Sequence, residues 1–357
     1  MHIPDNYLSP MTCGALALAM APVWTRAVKH VTRYFPRERF SSLGVAAAFS
    51  FLAMMFNVPL PGGTTGHAVG GALLAVLLGP HAACLALTMA LALQALVFGD
   101  GGILAFGANC FNMAFVLPFG GYYVYQALRR VLKSDRSLRR DCVALAISSY
   151  VAINLAAFVA GIEFGIQPLL FHDANGQALY CPYSLTTALP AMMIGHLTVF
   201  GLTEVVFSVA VYAFIQKTAP GFATNGAFAP SRESASDASE TVANVEQGNV
   251  AQGKINPIYL LLALLVVLTP LGLLADGSAW GEWGVDEIAT VTTDGVELGY
   301  TPEKMETGFQ WSALCPDYST PGVPEWFSYI LSAIGGVAFF IIFFKLASAF
   351  RRDEKLR

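Results

Sequence analysis

The chain opens MHIPDNYLSP, and its first two residues set three nitrogen donors side by side. The terminal amine of Met1 is the first. The amide nitrogen of His2, once deprotonated, is the second, and the His2 imidazole Nδ1 is the third. Metal binding by this dipeptide closes two fused chelate rings. A fourth nitrogen would complete a square plane, a geometry that suits Ni(II) or Cu(II) and into which Co(II) can be forced. The chemistry requires a retained initiator methionine with a free amine. A bulky histidine at position 2 favours retention, and Pro4 stiffens the segment. The plain alternative is a frayed terminus with a solvated His2.

The elements that would position such a chelate follow from composition. Of 357 residues, 55% are hydrophobic and 12% charged, against about 25% charged in soluble domains. Mean hydropathy is +0.56. The chain reads as an all-α, polytopic membrane protein. Apolar segments at about 9–27, 42–57, 69–80, 82–99, 103–128, 142–163, 187–216, 256–275 and 325–346 are predicted spans, the third of them short. The first is not a signal peptide, because its basic cluster follows the apolar run.

Lysine and arginine fall in clusters: five from Arg26 to Arg39, six from Arg129 to Arg140 and five from Lys345 to Arg357, with none at 40–128 or 141–216. Basic clusters beside spans mark the cytoplasmic side. The N-terminus is then predicted outside and the C-terminus in the cytoplasm. The same topology brings the loop PLPGGTTGH, ending in His67, to the outer side with Met1. Its glycines free the backbone to aim a side chain inward, so His67 is the expected fourth donor.

The organisation is a seven-helix core (1–216), a polar linker without regular structure (217–255), a two-helix accessory unit (256–346) with an outer loop at 276–324, and a basic cytoplasmic tail (347–357). The outer loop is acidic and reads either as a solvated segment or as one that docks on the core. Asn109 and Asn112 lie in an apolar run, preceded by Gln94 and Asp100. They are candidates for hydrogen bonds that orient the ligands, or for helix-to-helix bonds. His196 and Glu204, eight residues apart in one span, should find partners, as a structural contact or a contact with another subunit; a ligand role for His196 is the alternative. His30, His81 and His172 read as solvated. Cys181 and Cys315 both fall outside, where a disulfide could join them, and no zinc-type cysteine spacing occurs.

MHIPDNYLSP resembles the amino terminus of the CbiM/NikM family, the substrate-binding membrane components of energy-coupling factor (ECF) transporters for cobalt and nickel. PGGTTGHAVGGAL, QALVFGDGGILAFGANCFNMA and GHLTVFGLTE are similar to further family stretches in the same order, over about residues 1–216. The resemblance implies a metal held by the amine, amide and imidazole of Met1 and His2 and by His67. The family often has Glu-Gly where Asp5-Asn6 stand, a departure that bears on metal preference. The stretch LTPLGLLADGSAWGEWG resembles a fused two-helix accessory component associated with metal loading.

The reading is therefore a non-enzymatic, substrate-binding transport subunit in the plasma membrane of a prokaryote. It carries Co(II) or Ni(II) as substrate, uses no cofactor and has no nucleic-acid partner. The chain lacks a G-x-x-x-x-G-K-[ST] phosphate loop. By resemblance, ATP-binding subunits and a transmembrane coupling subunit would supply the energy, and cobalt uptake would point to cobalamin synthesis. The alternatives are a vitamin-type binding subunit and a membrane metalloenzyme; no H-E-x-x-H motif or general base supports the latter.

Overall fold

The computed structural model describes residues 1–35, 39–60, 64–132, 137–219, 256–275, 277–293 and 296–350. Most of the expected linker, 220–255, and of the tail, 351–357, lies outside the described residues.

Helix α1 (Pro10–Tyr34) begins where the Ser9 side chain accepts from the Thr12 amide and Pro10 takes the first helical position, where its missing N–H costs nothing. It stops at Phe35, just before Pro36, as the residue ahead of a proline disfavours helix. Helix α2 (Phe40–Met54) leads into an antiparallel hairpin of β1 (Val58–Leu60) and β2 (Thr64–Gly66), with Val58 opposite Gly66. Helices α3 (Gly71–Leu78) and α4 (Pro80–Leu93) are broken apart at Gly79, whose φ of 87° suits only glycine.

Helices α5 (Phe106–Asn109) and α6 (Leu117–Val131) are joined without a break by a π-helical stretch, Cys110–Val116. Then come α7 (Leu138–Gly165), the short α8 (Gln167–Leu170), α9 (Leu185–Gly195) and α10 (Gly201–Thr218). The accessory unit holds α11 (Pro257–Leu268), α12 (Glu303–Thr307) and α13 (Glu325–Phe350).

Every predicted span falls on helix, and the protein is an all-α, multi-pass membrane protein. Six helical segments among the described residues are long and apolar enough to cross a membrane, and α2 is a shorter apolar helix. At eight residues, α3 is too short to span. The final helix runs on to Phe350, past the expected start of the tail at 347.

Glycines let the accessory unit pack closely on the core. A Cβ on Gly44 of α2 would lie 2.7 Å from the Phe340 carbonyl of α13, and one on Gly336 would lie 2.3 Å from the Phe51 ring. Small residues at helix crossings are the usual device where lipid supplies no hydrophobic drive. The loop between α11 and α13 docks on the core rather than standing in solvent: Met305 and Tyr318 are buried and Trp280 half-buried. Cys181 and Cys315 are both free thiols, so the proposed disulfide is absent. His172 is exposed as expected, but His30 and His81 are half-buried and stack on each other, ring centroids 4.2 Å apart.

Candidate metal centre

Residues 1–9 form a non-helical arm threaded into one end of the bundle. Ile3 is fully buried and His2 is 2% exposed, so the terminus is not frayed. Asn109 holds the arm as a neighbouring strand would: its Oδ1 accepts from the Ile3 amide (2.7 Å) and its Nδ2 donates to the Ile3 carbonyl (3.0 Å). The Gly102 amide donates to the same carbonyl, and Asp5 Oδ1 accepts from the Leu104 amide. The arm passes so close to Gly102 that a Cβ there would sit 2.4 Å from the Asp5 nitrogen. Further along, the Ser9 amide donates to Gln167 Oε1, and the Cys181 amide to the Tyr7 carbonyl.

The β1–β2 hairpin delivers His67, and Glu204 fixes the backbone that follows. This fully buried carboxylate accepts from the Val69 amide (2.7 Å) and the Gly70 amide (3.1 Å). It thereby satisfies free N–H groups at the start of α3, where a negative charge is favoured. Ser50 Oγ donates to the Val69 carbonyl from the other side.

His67 Nε2 lies 3.2 Å from His2 Nδ1, and His67 Nδ1 lies 3.2 Å from the Ala68 carbonyl. With its proton on Nδ1, donated to Ala68, the His67 ring presents the Nε2 lone pair to His2. The Met1 amine donates to Glu282 Oε1 of the loop between α11 and α13 at 3.2 Å. His2 Nδ1 also sits 3.1 Å from Asp100 Oδ1. Met1, His67 and His196 line a cavity of about 20 Å³ with Thr65, Phe200 and Trp280, room for about one water-sized body. His196 is tethered through Nδ1 to the Met192 carbonyl at 2.7 Å.

The sequence-predicted residues therefore divide. Met1, His2 and His67 converge. Asn109 grips the backbone next to His2 and touches no ligand atom. Asn112 turns away, its Nδ2 donating to Glu163 Oε2 at 2.7 Å, so it is a helix-to-helix contact and not a support of the ligands. Two contributors had weak sequence signals: Asp100, one polar residue among several in its run, and Glu282, which sits in a loop whose docking no pattern announces. Among the described residues no group of three or more His, Cys, Asp or Glu is placed to hold a metal.

Three π-helical stretches surround this region: Gln94–Phe98, Cys110–Val116 and His196–Phe200. Such widened turns concentrate at functional sites. Here they fall at Gln94, next to Asn109, and at His196.

The family model described as the cobalt uptake substrate-specific transmembrane region matches residues 2–222. The chain belongs to the CbiM family. Residues 256–352 match the PDGLE domain. A probable fused nickel transport protein, LarMN, of Lactiplantibacillus plantarum is 48% identical over 344 residues, 96% of each chain. The fused nickel transport protein NikMN of Rhodobacter capsulatus is 40% identical over 98% of each. The crystal structure of a truncated transition metal transporter superposes with a TM-score of 0.57 at 51% identity, over 61% of this chain and 99% of its own.

Burial first, then the neighbouring His2 and the terminal ammonium, hold the His67 imidazole well below the ordinary histidine value of 6.5. Its lone pair thus stays available to a metal through mildly acid pH. The unfolded chain takes up the proton first, so the stability gained by burying neutral His67 is complete above about pH 6.5 and lost as pH falls below it. One such group costs up to about 1.4 kcal/mol per pH unit in that window. Melting curves of the metal-free protein between pH 7.5 and 5 will show the fall setting in near 6.5 and will be shallower for His67→Gln. Equal slopes would refute the assignment.

Proposed function

We propose that this chain is the substrate-binding component of a transition-metal importer, with Ni(II) as its preferred cargo and Co(II) as the alternative. It is a transporter component rather than an enzyme. The observation that carries this is the 3.2 Å approach of His67 Nε2 to His2 Nδ1 beside the buried Met1 amine. With metal–nitrogen bonds near 2.0 Å, neighbouring corners of a square plane are roughly 2.8 Å apart and opposite corners roughly 4.0 Å. The fused rings of Met1-His2 take three corners and leave the fourth opposite the His2 amide, next to Nδ1. The observed spacing suits that corner.

Nickel is favoured by the tetragonal nitrogen set and by the names of the fused relatives that match along nearly the whole chain. Relatives named for cobalt match over shorter stretches, and cobalt delivery to cobalamin synthesis is the second reading. Import would be driven by ATP-binding subunits and a transmembrane coupling subunit of the ECF type, with the metal site on the outer face of the plasma membrane and the basic clusters in the cytoplasm.

The test is metal analysis of the native chain, purified in detergent, exposed to equal Ni(II) and Co(II) and desalted. One ion per chain, mostly nickel, is expected. A chain that retains neither metal overturns the reading, and cobalt in excess reverses the preference.

A further inference from the structure

We infer that His196 is a transfer ligand: its Nε2 receives the metal ion on the way in, passes it to the donors of Met1, His2 and His67, and holds no bond to it in the loaded state. This rests on the Met1–His2–His67 reading and adds to it a route to those donors.

The ring is already arranged as a ligand. Its Nδ1 lies 2.7 Å from the Met192 carbonyl. A carbonyl only accepts, so Nδ1 carries the proton and the lone pair stays on Nε2. His67 is set in the same way, with Nδ1 on the Ala68 carbonyl. A backbone carbonyl on the far nitrogen is the usual support of a metal-binding imidazole. Because the tether uses Nδ1, it persists when Nε2 meets a metal. Nε2 itself makes no hydrogen bond among the described residues, although the residue is 6% exposed.

The cavity of about 20 Å³ that His196 shares with Met1 and His67 is graded from one wall to the other. Thr64, Ala191, Ala279 and Trp280 are half-buried, whereas Met1 and His67 are buried. The space admits about one water-sized body. An ion crossing it toward the donors stays within reach of every wall, His196 included. Thr64 Oγ1, in the same wall, is buried without a hydrogen-bond partner. An orphaned hydroxyl is costly, and a water carried in with the ion would satisfy it.

Phe200 fixes the spacing of the two histidines. A Cβ on Gly66 would lie 2.8 Å from the Phe200 ring, and one on Gly195 would lie 2.7 Å from it. These glycines immediately precede His67 and His196. One aromatic ring is thus clamped between the two backbones that carry the imidazoles. The π-helical turn His196–Phe200 holds both the histidine and its spacer, ring centroids 5.3 Å apart.

Met1, His2 and His67 fill the four corners of the plane, so no corner is left for His196. An arriving ion exchanges its waters for nitrogens one at a time, and a further donor beside the plane eases those steps without joining the final set. A group that touches the ion only in transit changes loading and release by one factor and leaves their ratio, Kd, unchanged.

The experiment mixes full-length protein in detergent with Ni(II) alone by stopped flow and follows loading by the absorption of the bound ion. Release is followed after excess chelator is added to loaded protein, and Kd is measured by equilibrium competition with the same chelator. Wild type is compared with His196→Asn and His196→Gln. The asparagine amide keeps the bond to the Met192 carbonyl and offers nothing at the Nε2 position. Glutamine places a weakly ligating amide there. Loading should slow roughly tenfold or more in both, because half the energy of one metal–nitrogen bond suffices. Release should slow by the same factor, with Kd and the absorption band unchanged.

Wild-type loading in His196→Asn would overturn the inference and leave His196 as a tether at the end of α9. A weakened Kd with a shifted band would overturn it too, by making His196 a lasting ligand. If His196→Asn fails to fold, His196→Gln decides alone. If wild type itself binds no Ni(II), the fault lies with the underlying reading; if wild type binds and both variants load as it does, only this inference fails.

Discussion

A chain extended by four residues ahead of Met1 will retain no Ni(II) or Co(II) through desalting, while the native chain retains one ion. The extension converts the Met1 amine into a peptide nitrogen and carries the new amine beyond chelate reach. A one-residue extension would be a poor test, because the resulting Xaa-Met-His offers an amine, two amides and an imidazole of its own. Four-donor protein sites bind with roughly 10–16 kcal/mol, so one donor accounts for about 2.5–4 kcal/mol, a loss of roughly 60- to 700-fold. The true loss should be larger. Met1 is 7% exposed and its amine ends at Glu282, so added residues must also displace the loop that carries Glu282. Metal content measured beside a melting curve separates the two effects. An extended chain that melts like the native one and still holds one ion removes the terminal amine from the site.

Glu204→Ala will lower stability by about 3–5 kcal/mol and will empty the metal site without changing any donor. Truncation leaves the Val69 and Gly70 amides without their acceptor at a fully buried position, and each orphaned group costs about 1–3 kcal/mol. The negative charge at the start of α3 is lost with it, worth up to about 2 kcal/mol in a buried setting. His67 precedes this anchored backbone by two residues, so its ring loses the support that holds Nε2 near His2. Glu204→Gln keeps one acceptor oxygen and should fall between wild type and alanine. Thermal melting of the metal-free protein and nickel content of the loaded protein are the two measurements. Unchanged nickel content in a destabilised Glu204→Ala would mean that the carboxylate serves the fold alone.

These two sites differ in how far they could be read from residues. The proposed chelating dipeptide could be read from sequence because its donors are joined covalently, and no folding is needed to bring amine, amide and imidazole together. The helices were legible because lipid imposes long apolar runs, and the lysines and arginines mark their ends. His67 was reachable only because topology put its loop on the same side as Met1. Glu204 showed itself merely as a costly carboxylate in a span, and its partners are backbone amides 134 and 135 residues away, which carry no residue signature. Asn109 and Asn112 are alike in sequence, and only the packing of the arm and of α7 decides that one grips Ile3 and the other Glu163. The π-helical turns are likewise invisible, because an extra residue in a turn leaves the apolar pattern of a short segment almost unchanged. The free Cys181 and Cys315 show the limit of a predicted topology: assigning two thiols to one side does not bring them into bonding distance.

The ion pair between Met1 and Glu282 spans 281 residues, and it sets an order of events during synthesis. Chains emerge amino terminus first, so the first residue waits, with its roof unmade, until the last quarter of the protein has been translated. Enzymes that trim or modify nascent termini have that interval in which to act on Met1. Once Glu325–Phe350 has docked and the loop before it has settled, the amine is enclosed and out of their reach. The same closure shelters the terminus in the folded molecule.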